Sequence, residues 1–178
     1  MVSVKFCIMV SIIPASSCKA REEDFSAVRI CEAQSRGALA GIAHRPIDGE
    51  PMIESREVQV LPGRGIDSEN RKPGKREITL VSTKSWADAC RELGAEISWH
   101  ARRANLLIDG IDLPKTIGLR LKIGPVEILV HGETKPCKIM DQQRQGLRQA
   151  LVPEFRGGVH GEVVTDGTLR VGDSVQVL

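Results

Sequence analysis

The second half of the chain is cut into short aliphatic runs by turn residues, and that punctuation restricts the fold more than any other feature. Leu106-Leu-Ile-Asp-Gly110 runs into an Asp-Gly turn, Leu119-Arg-Leu-Lys-Ile123 alternates up to Gly124-Pro125, and Val126-Glu-Ile-Leu-Val130 returns. Runs this short with period-two alternation are strands, and the Gly124-Pro125 break predicts a hairpin. Thr165-Asp166-Gly167 separates the runs 159–164 and 169–177, and predicts a last hairpin. Upstream, residues 25–34, 54–61 and 77–82 are rich in β-formers and are read as further strands. The strand around Leu106 is taken to begin at Arg103. Two segments have helical spacing. In 85–93, Trp86, Ala89, Cys90 and Leu93 share one face, closed by Gly94; residues 138–151 place Ile139, Met140, Leu147 and Leu151 on apolar positions before Pro153. Residues 37–47 are a small-residue stretch, and 65–74 a polar loop without periodicity. Many short strands and few helices predict a mainly β fold, a mixed or antiparallel β-barrel with two or three peripheral helices.

At 178 residues the chain is long enough for one domain with a full core. That core must be aliphatic, because there are three Phe, two Trp and no Tyr. The same scarcity removes the stacking platforms of single-strand binders, and 25 basic against 23 acidic side chains is too even for a phosphate-backbone footprint, so nucleic acid is set aside as a primary ligand. Five cysteines without a C-x-x-C pair suggest neither a disulfide framework nor a zinc site, which favours a reducing cytoplasm. The apolar run 6–14 behind Lys5 is too short to span a bilayer and is broken by Pro14; an export signal ending near Cys18 is the competing reading. Residues 1–20 are accordingly read as an N-terminal extension or signal-like segment, and 21–178 as a single domain.

Cys137 is the residue best placed for chemistry. It lies where a valine-rich strand gives way to a helix-forming run, with Lys135 and Lys138 on either side and Pro136 before it. A thiol there meets backbone N–H groups and two ammonium groups, which favour the thiolate. A buried structural cysteine is the other reading of the same position, since free Cys is among the most buried residue types. Cys90, on the apolar helix face, is read as core.

Six elements occur in order around that cysteine: Arg103-x-Asn105, Gly110-Ile-Asp-Leu113, Ile117-Gly-x-x-Leu-x-Ile-Gly124, Pro136-Cys137, Arg156-Gly-Gly158 and Asp166-Gly-x-Leu-x-Val-Gly-Asp173. Together, over residues 54–178, they resemble the MOSC domain, named for the C-terminal domain of molybdenum-cofactor sulfurases, in its small stand-alone bacterial form. The resemblance implies a β-barrel that handles sulfur or works with the molybdenum cofactor. Cys137 would be a persulfide carrier or a thiolate ligand to molybdenum. The implied partners are a cysteine desulfurase or a molybdoenzyme, because the chain leaves no room for a pyridoxal-phosphate domain of its own.

Carried onto this sequence, the resemblance makes Arg103, Asn105, Lys135, Arg156, Gly157, Gly158 and His160 candidates for holding molybdopterin or another small anionic ligand. Arg103 and Asn105 are expected to share one strand face, and Gly157-Gly158 to offer backbone to an anion beside Arg156, with His160 as a proton carrier. For Arg103 and Arg156 a solvated barrel face is the alternative. Two other functions compete: a molybdopterin-dependent reductase that detoxifies N-hydroxylated compounds, and a non-catalytic binding barrel. Lys135-Pro136 stand where the amidoxime-reducing branch has acidic or amide residues, which tilts Cys137 toward carrying sulfur.

Overall fold

The alternation of the sequence becomes an inside and an outside. In β7 (Arg120–Ile123), the first part of β8 (Val126–Glu133) and β9 (Val159–Val163) alternate residues are buried: Leu121 and Ile123, Val126, Ile128 and Val130, Val159, Gly161 and Val163. The computed structural model describes residues 35–69 and 74–178. The strand expected over 25–34, the signal-like run, Cys7, Cys18, Cys31 and residues 70–73 lie outside the described residues. The remaining strands are β1 (Arg36–His44), β2 (Ile53–Ser55), β3 (Glu57–Leu61), β4 (Gly65–Ile66), β5 (Ile78–Ser82), β6 (Leu106–Asp109), β10 (Gly167–Arg170) and β11 (Ser174–Val177).

Seven of them run in the order β11-β7-β8-β9-β5-β6-β1, and β1 pairs again with β11, so the sheet closes on itself. Every pairing is antiparallel except β5 with β6. That parallel pair needs a crossover, which α1 (Thr83–Leu93) supplies. The Ser82 hydroxyl caps α1 by accepting from the Ser85 N–H at 3.0 Å, and Gly94 ends it at φ 57°. A second sheet, β10-β3-β4, contributes Val58, Val60, Ile66 and Leu169 to the barrel core. Beside the barrel a smaller apolar cluster joins Trp86 and Ala89 of α1 to Met140, Leu147 and Leu151 around α2 (Ile139–Gln143) and α3 (Leu147–Ala150). The expected mainly β barrel with peripheral helices is the fold observed.

Four local expectations are corrected. The small-residue stretch is strand β1. Its weak β-propensity is outweighed by pairing with β2, β6 and β11, and the missing side chains admit close neighbours: a Cβ on Gly41 would lie 3.0 Å from the Trp99 ring. The Asp166-Gly167 turn closes no hairpin. Glu127 in β8 holds the Val164 N–H and donates to the Thr165 hydroxyl, both at 2.8 Å, so the chain leaves β9 and crosses to pair β10 with β3, before β11 joins β1 and β7. The single helix over 138–151 is two short ones, because Arg144 is extended and Gly146 sits at φ 87°. Finally, the strand thought to begin at Arg103 begins at Leu106. Arg103 closes a 3-10 turn (Trp99–Arg102) at φ 61°, so Arg103 and Asn105 share no strand face.

Candidate functional site

Cys137 lies in the loop between β8 and α2, and its thiol is exposed. The loop is tied down before it reaches the cysteine. The Thr134 N–H donates to the Gly158 carbonyl at 2.8 Å, and the Thr134 carbonyl accepts from Arg102 Nη2 at 2.8 Å. Arg102 Nε donates to the Gly157 carbonyl at 2.7 Å, so one guanidinium joins the cysteine loop to the segment leading into β9. Its third nitrogen, Nη1, is 4.0 Å from the Met140 sulfur. On the other side of the loop, the Cys137 carbonyl accepts from the Met140 N–H at 3.0 Å and starts α2.

Cys137 opens onto a cleft of about 270 Å³ lined by Arg45, Met52, Glu69, Arg76, Arg102, Arg103, Lys135 and Met140. Among the described residues, five cationic side chains thus line the cleft with the thiol, and Glu69 is the only carboxylate on the wall. Glu69 is buried and held by the Arg45 N–H at 2.8 Å and by Asn105 Nδ2 at 3.0 Å. Arg45 also pairs with Asp48 at 2.8 Å. Arg102, Arg103 and Lys135 form no ion pair with a carboxylate among the described residues. Burial, with the Arg76 charge added, lowers the Arg102 pKa to about 10; the charges of Cys137 and Glu133 act in the opposite direction.

The cleft opens toward a broader groove of about 770 Å³, with Arg45, Met52 and Arg103 in both walls. Farther along, Ser98, His100, Gln142 and Gln143 line this groove together with the charged Glu50, Glu96 and Arg144.

Of the residues singled out in the sequence, Cys137, Lys135 and Arg103 meet in the cleft. Asn105 stands behind its wall, fully buried, with its amide spent inside the protein: Oδ1 accepts from the Thr79 N–H at 3.1 Å and the Thr79 hydroxyl at 2.8 Å, and Nδ2 donates to Ala43 and Glu69. Gly157 and Gly158 brace the cysteine loop. Their N–H groups donate to Leu151 and Phe155, so this backbone does not present the anion site expected of it. Arg156 turns to the helices, donating to Glu92 at 2.6 Å and to the Ala150 carbonyl at 3.1 Å, and is absent from the cleft wall. His160 pairs across to Thr79 and Gly132. It feels Arg76 from outside the cleft; burial first, then that cation, holds its pKa below the ordinary 6.5.

Sequence reasoning missed Arg45, Arg76, Arg102 and Glu69. They come from three separate segments, Glu69 and Arg76 sharing the connection between β4 and β5, and no motif spacing links them. The only local signal was the doublet Arg102-Arg103.

A closed mixed barrel that presents a thiol in a cationic cleft beside its helices defines a barrel protein built around a cysteine loop. The chain belongs to the MOSC domain family, whose model matches residues 56–176. Solved structures share the fold. The YuaD protein of Bacillus subtilis superposes with a TM-score of 0.70 at 19% identity, over 80% of this chain and 95% of that one. YiiM from Escherichia coli gives 0.60 at 13% identity, over 79% and 69%, and YiiM from Geobacillus stearothermophilus 0.57 at 15%, over 83% and 74%. No curated protein matches the chain in sequence.

Proposed function

We propose that the protein handles sulfur, with Cys137 as the carrier. The observation behind this reading is the exposed Cys137 thiol in a cleft with five cations and one carboxylate. A thiolate is the nucleophile in sulfur transfer. In the transfer, the Cys137 thiolate attacks the outer sulfur of a donor persulfide. The donor's S–S bond breaks, its thiolate leaves, and Cys137 holds a persulfide with no net oxidation. A persulfide ionises readily, so the cationic wall suits the loaded form as well.

The donor set also fits the cofactor associated with the family. A soft thiolate suits molybdenum, and guanidinium groups suit the phosphate of a pterin. Cys137 would hold the metal and Arg45, Arg103 and Lys135 the phosphate, with the groove walled by Gln142 and Gln143 available to the ring system. When bound, that group would supply two-electron reduction of N-hydroxylated compounds. The narrow cleft at the thiol favours sulfur carriage, because its volume of about 270 Å³ lies below the usual range for drug-sized ligands.

Intact-mass measurement after incubation with a cysteine desulfurase and cysteine tests the proposal. One sulfur atom should be gained by the native chain and by Cys90→Ala, and none by Cys137→Ala. Equal loading of all three would refute it. Elemental analysis of the protein made in a cofactor-competent host separates the alternatives, since stoichiometric molybdenum lost in Cys137→Ala would favour the metal reading.

A further inference from the structure

Resting on the sulfur-carrier reading, we infer a substrate class for it: the cleft takes its sulfur from small thiosulfonate anions, with inorganic thiosulfate the simplest member. Three features of the site lead there. The first is charge: Arg45, Arg76, Arg102, Arg103 and Lys135 line the cleft against one carboxylate among the described residues. Arg102 is only 4% exposed, lines the cleft, and forms no ion pair with a carboxylate among the described residues; its guanidinium is held by two neutral carbonyl oxygens. A buried cation so placed calls for an anion in the space it lines. Arg103 and Lys135 stand on the same wall without an ion pair to a carboxylate among the described residues. The second feature is size: the space beside the thiol is about 270 Å³, which suits a small anion. The third is polarity. Apart from the Met52 and Met140 side chains, every residue on that wall is charged or is Cys137 itself.

A donor for this cleft must carry its transferable sulfur on an oxyanion. In a thiosulfonate the outer sulfur is electrophilic enough for a thiolate, and the departing group is a sulfite or sulfinate. The Cys137 thiolate attacks that outer sulfur, the S–S bond of the donor breaks, and its electron pair leaves with sulfite. Cys137 is left as a persulfide anion. Three negative charges enter the step with thiosulfate and three leave it, and no external oxidant or reductant is needed. The cations assist where charge moves: they draw the dianion in and stabilise the developing sulfite at the far end of the breaking bond. Arg102 is fixed by the Thr134 and Gly157 carbonyls and so needs no reorganisation to do this.

The experiment uses the full chain with two donors in parallel: inorganic thiosulfate and the persulfide of glutathione. Sulfite release is followed with a colorimetric thiol-exchange reagent, and sulfur gain by intact mass. Thiosulfate should release one equivalent of sulfite per chain as Cys137 gains one sulfur, and Cys137→Ala should release none. The double variant Arg103→Gln/Lys135→Gln, at a half-buried and an exposed position, should slow thiosulfate loading by tenfold or more while slowing loading from glutathione persulfide less than threefold. Loading by the persulfide but not by thiosulfate would overturn this inference and leave the carrier reading standing. Loading by neither would remove both. Sulfite release that survives in Cys137→Ala, or is unchanged in the double variant, would also overturn the assignment.

Discussion

Gly157 and Thr134 approach so closely that a Cβ on the glycine would lie 2.5 Å from the Thr134 carbonyl oxygen, and 3.2 Å from Cδ of Pro136. The cysteine loop is therefore seated against bare backbone. Gly157→Ala should push residues 134–136 outward, cost about 2 kcal/mol of stability as an overpacked contact does, and slow labelling or sulfur loading of Cys137. Gly132→Ala is the matched control. Its Cβ would meet only the His160 ring, at 3.6 Å, so stability should change by less than about 1 kcal/mol. Denaturant midpoints that rank the two variants in the reverse order would show that the loop is not seated on Gly157.

Arg102→Gln tests the clamp from the other side. Two carbonyls, Thr134 and Gly157, would lose charge-assisted donors, while the molecule would be relieved of a buried cation whose pKa is down at about 10. The lost bonds outweigh the relief, because each orphaned buried acceptor costs about 1 to 3 kcal/mol. A net loss of about 2 kcal/mol is expected, with faster hydrogen exchange at the Thr134 amide as the loop loosens. Unchanged exchange there would show that the guanidinium does not hold the loop.

What the sequence revealed and what it concealed divide along one physical line. Alternating runs such as Leu119 to Ile123 and Val126 to Val130 report burial directly, so the β7–β8 hairpin and the barrel class were legible. Helix α1 was legible through its spacing and its Gly94 stop. Cys137 and Lys135 were legible because local chain chemistry marks them. Strand β1 was not, since Gly37, Ala38, Ala40 and Gly41 are small to make room for partners distant in sequence. Nor was the cleft: Arg45, Arg76, Arg102 and Glu69 meet only when the barrel closes. Arg156 misled because a cation before two glycines looks the same whether it faces a ligand or Glu92.

Asn105 is predicted to matter through what it holds. Its amide accepts two bonds from Thr79 and donates to the buried Glu69, joining β5 to the loop that carries the one carboxylate of the cleft. Asn105→Ala should cost about 3 kcal/mol through the polar groups it strands. Asn105→Asp should also destabilise, because it sets a second acceptor against Glu69. Thermal unfolding of both variants checks this, and an Asp variant as stable as the native chain would contradict it.

Arg156→Ala should leave Cys137 chemistry intact. The side chain bonds Glu92 and the Ala150 carbonyl and takes no part in the cleft wall, so the expected result is a modest stability loss, about 1 kcal/mol, with unaltered sulfur loading. A tenfold fall in loading rate at unchanged stability would place Arg156 in the site after all.

The last prediction concerns pH. His160 has a pKa below 6.5, from burial first and the Arg76 charge second, so the unfolded chain binds this proton more readily than the folded one. The folded state is thus favoured in full above the unfolded value, and loses that contribution as pH falls through the window between 6.5 and the lower folded value. Removing the neighbouring cation should narrow that window. In Arg76→Gln the His160 ring resonances, followed by NMR from about pH 8 to about pH 5, should titrate at higher pH than in the native chain. His160→Gln should flatten the acid side of the thermal-midpoint profile. A His160 midpoint that does not move in Arg76→Gln would leave burial and the neighbouring His131 as the causes, and would separate this histidine electrostatically from the cationic cleft.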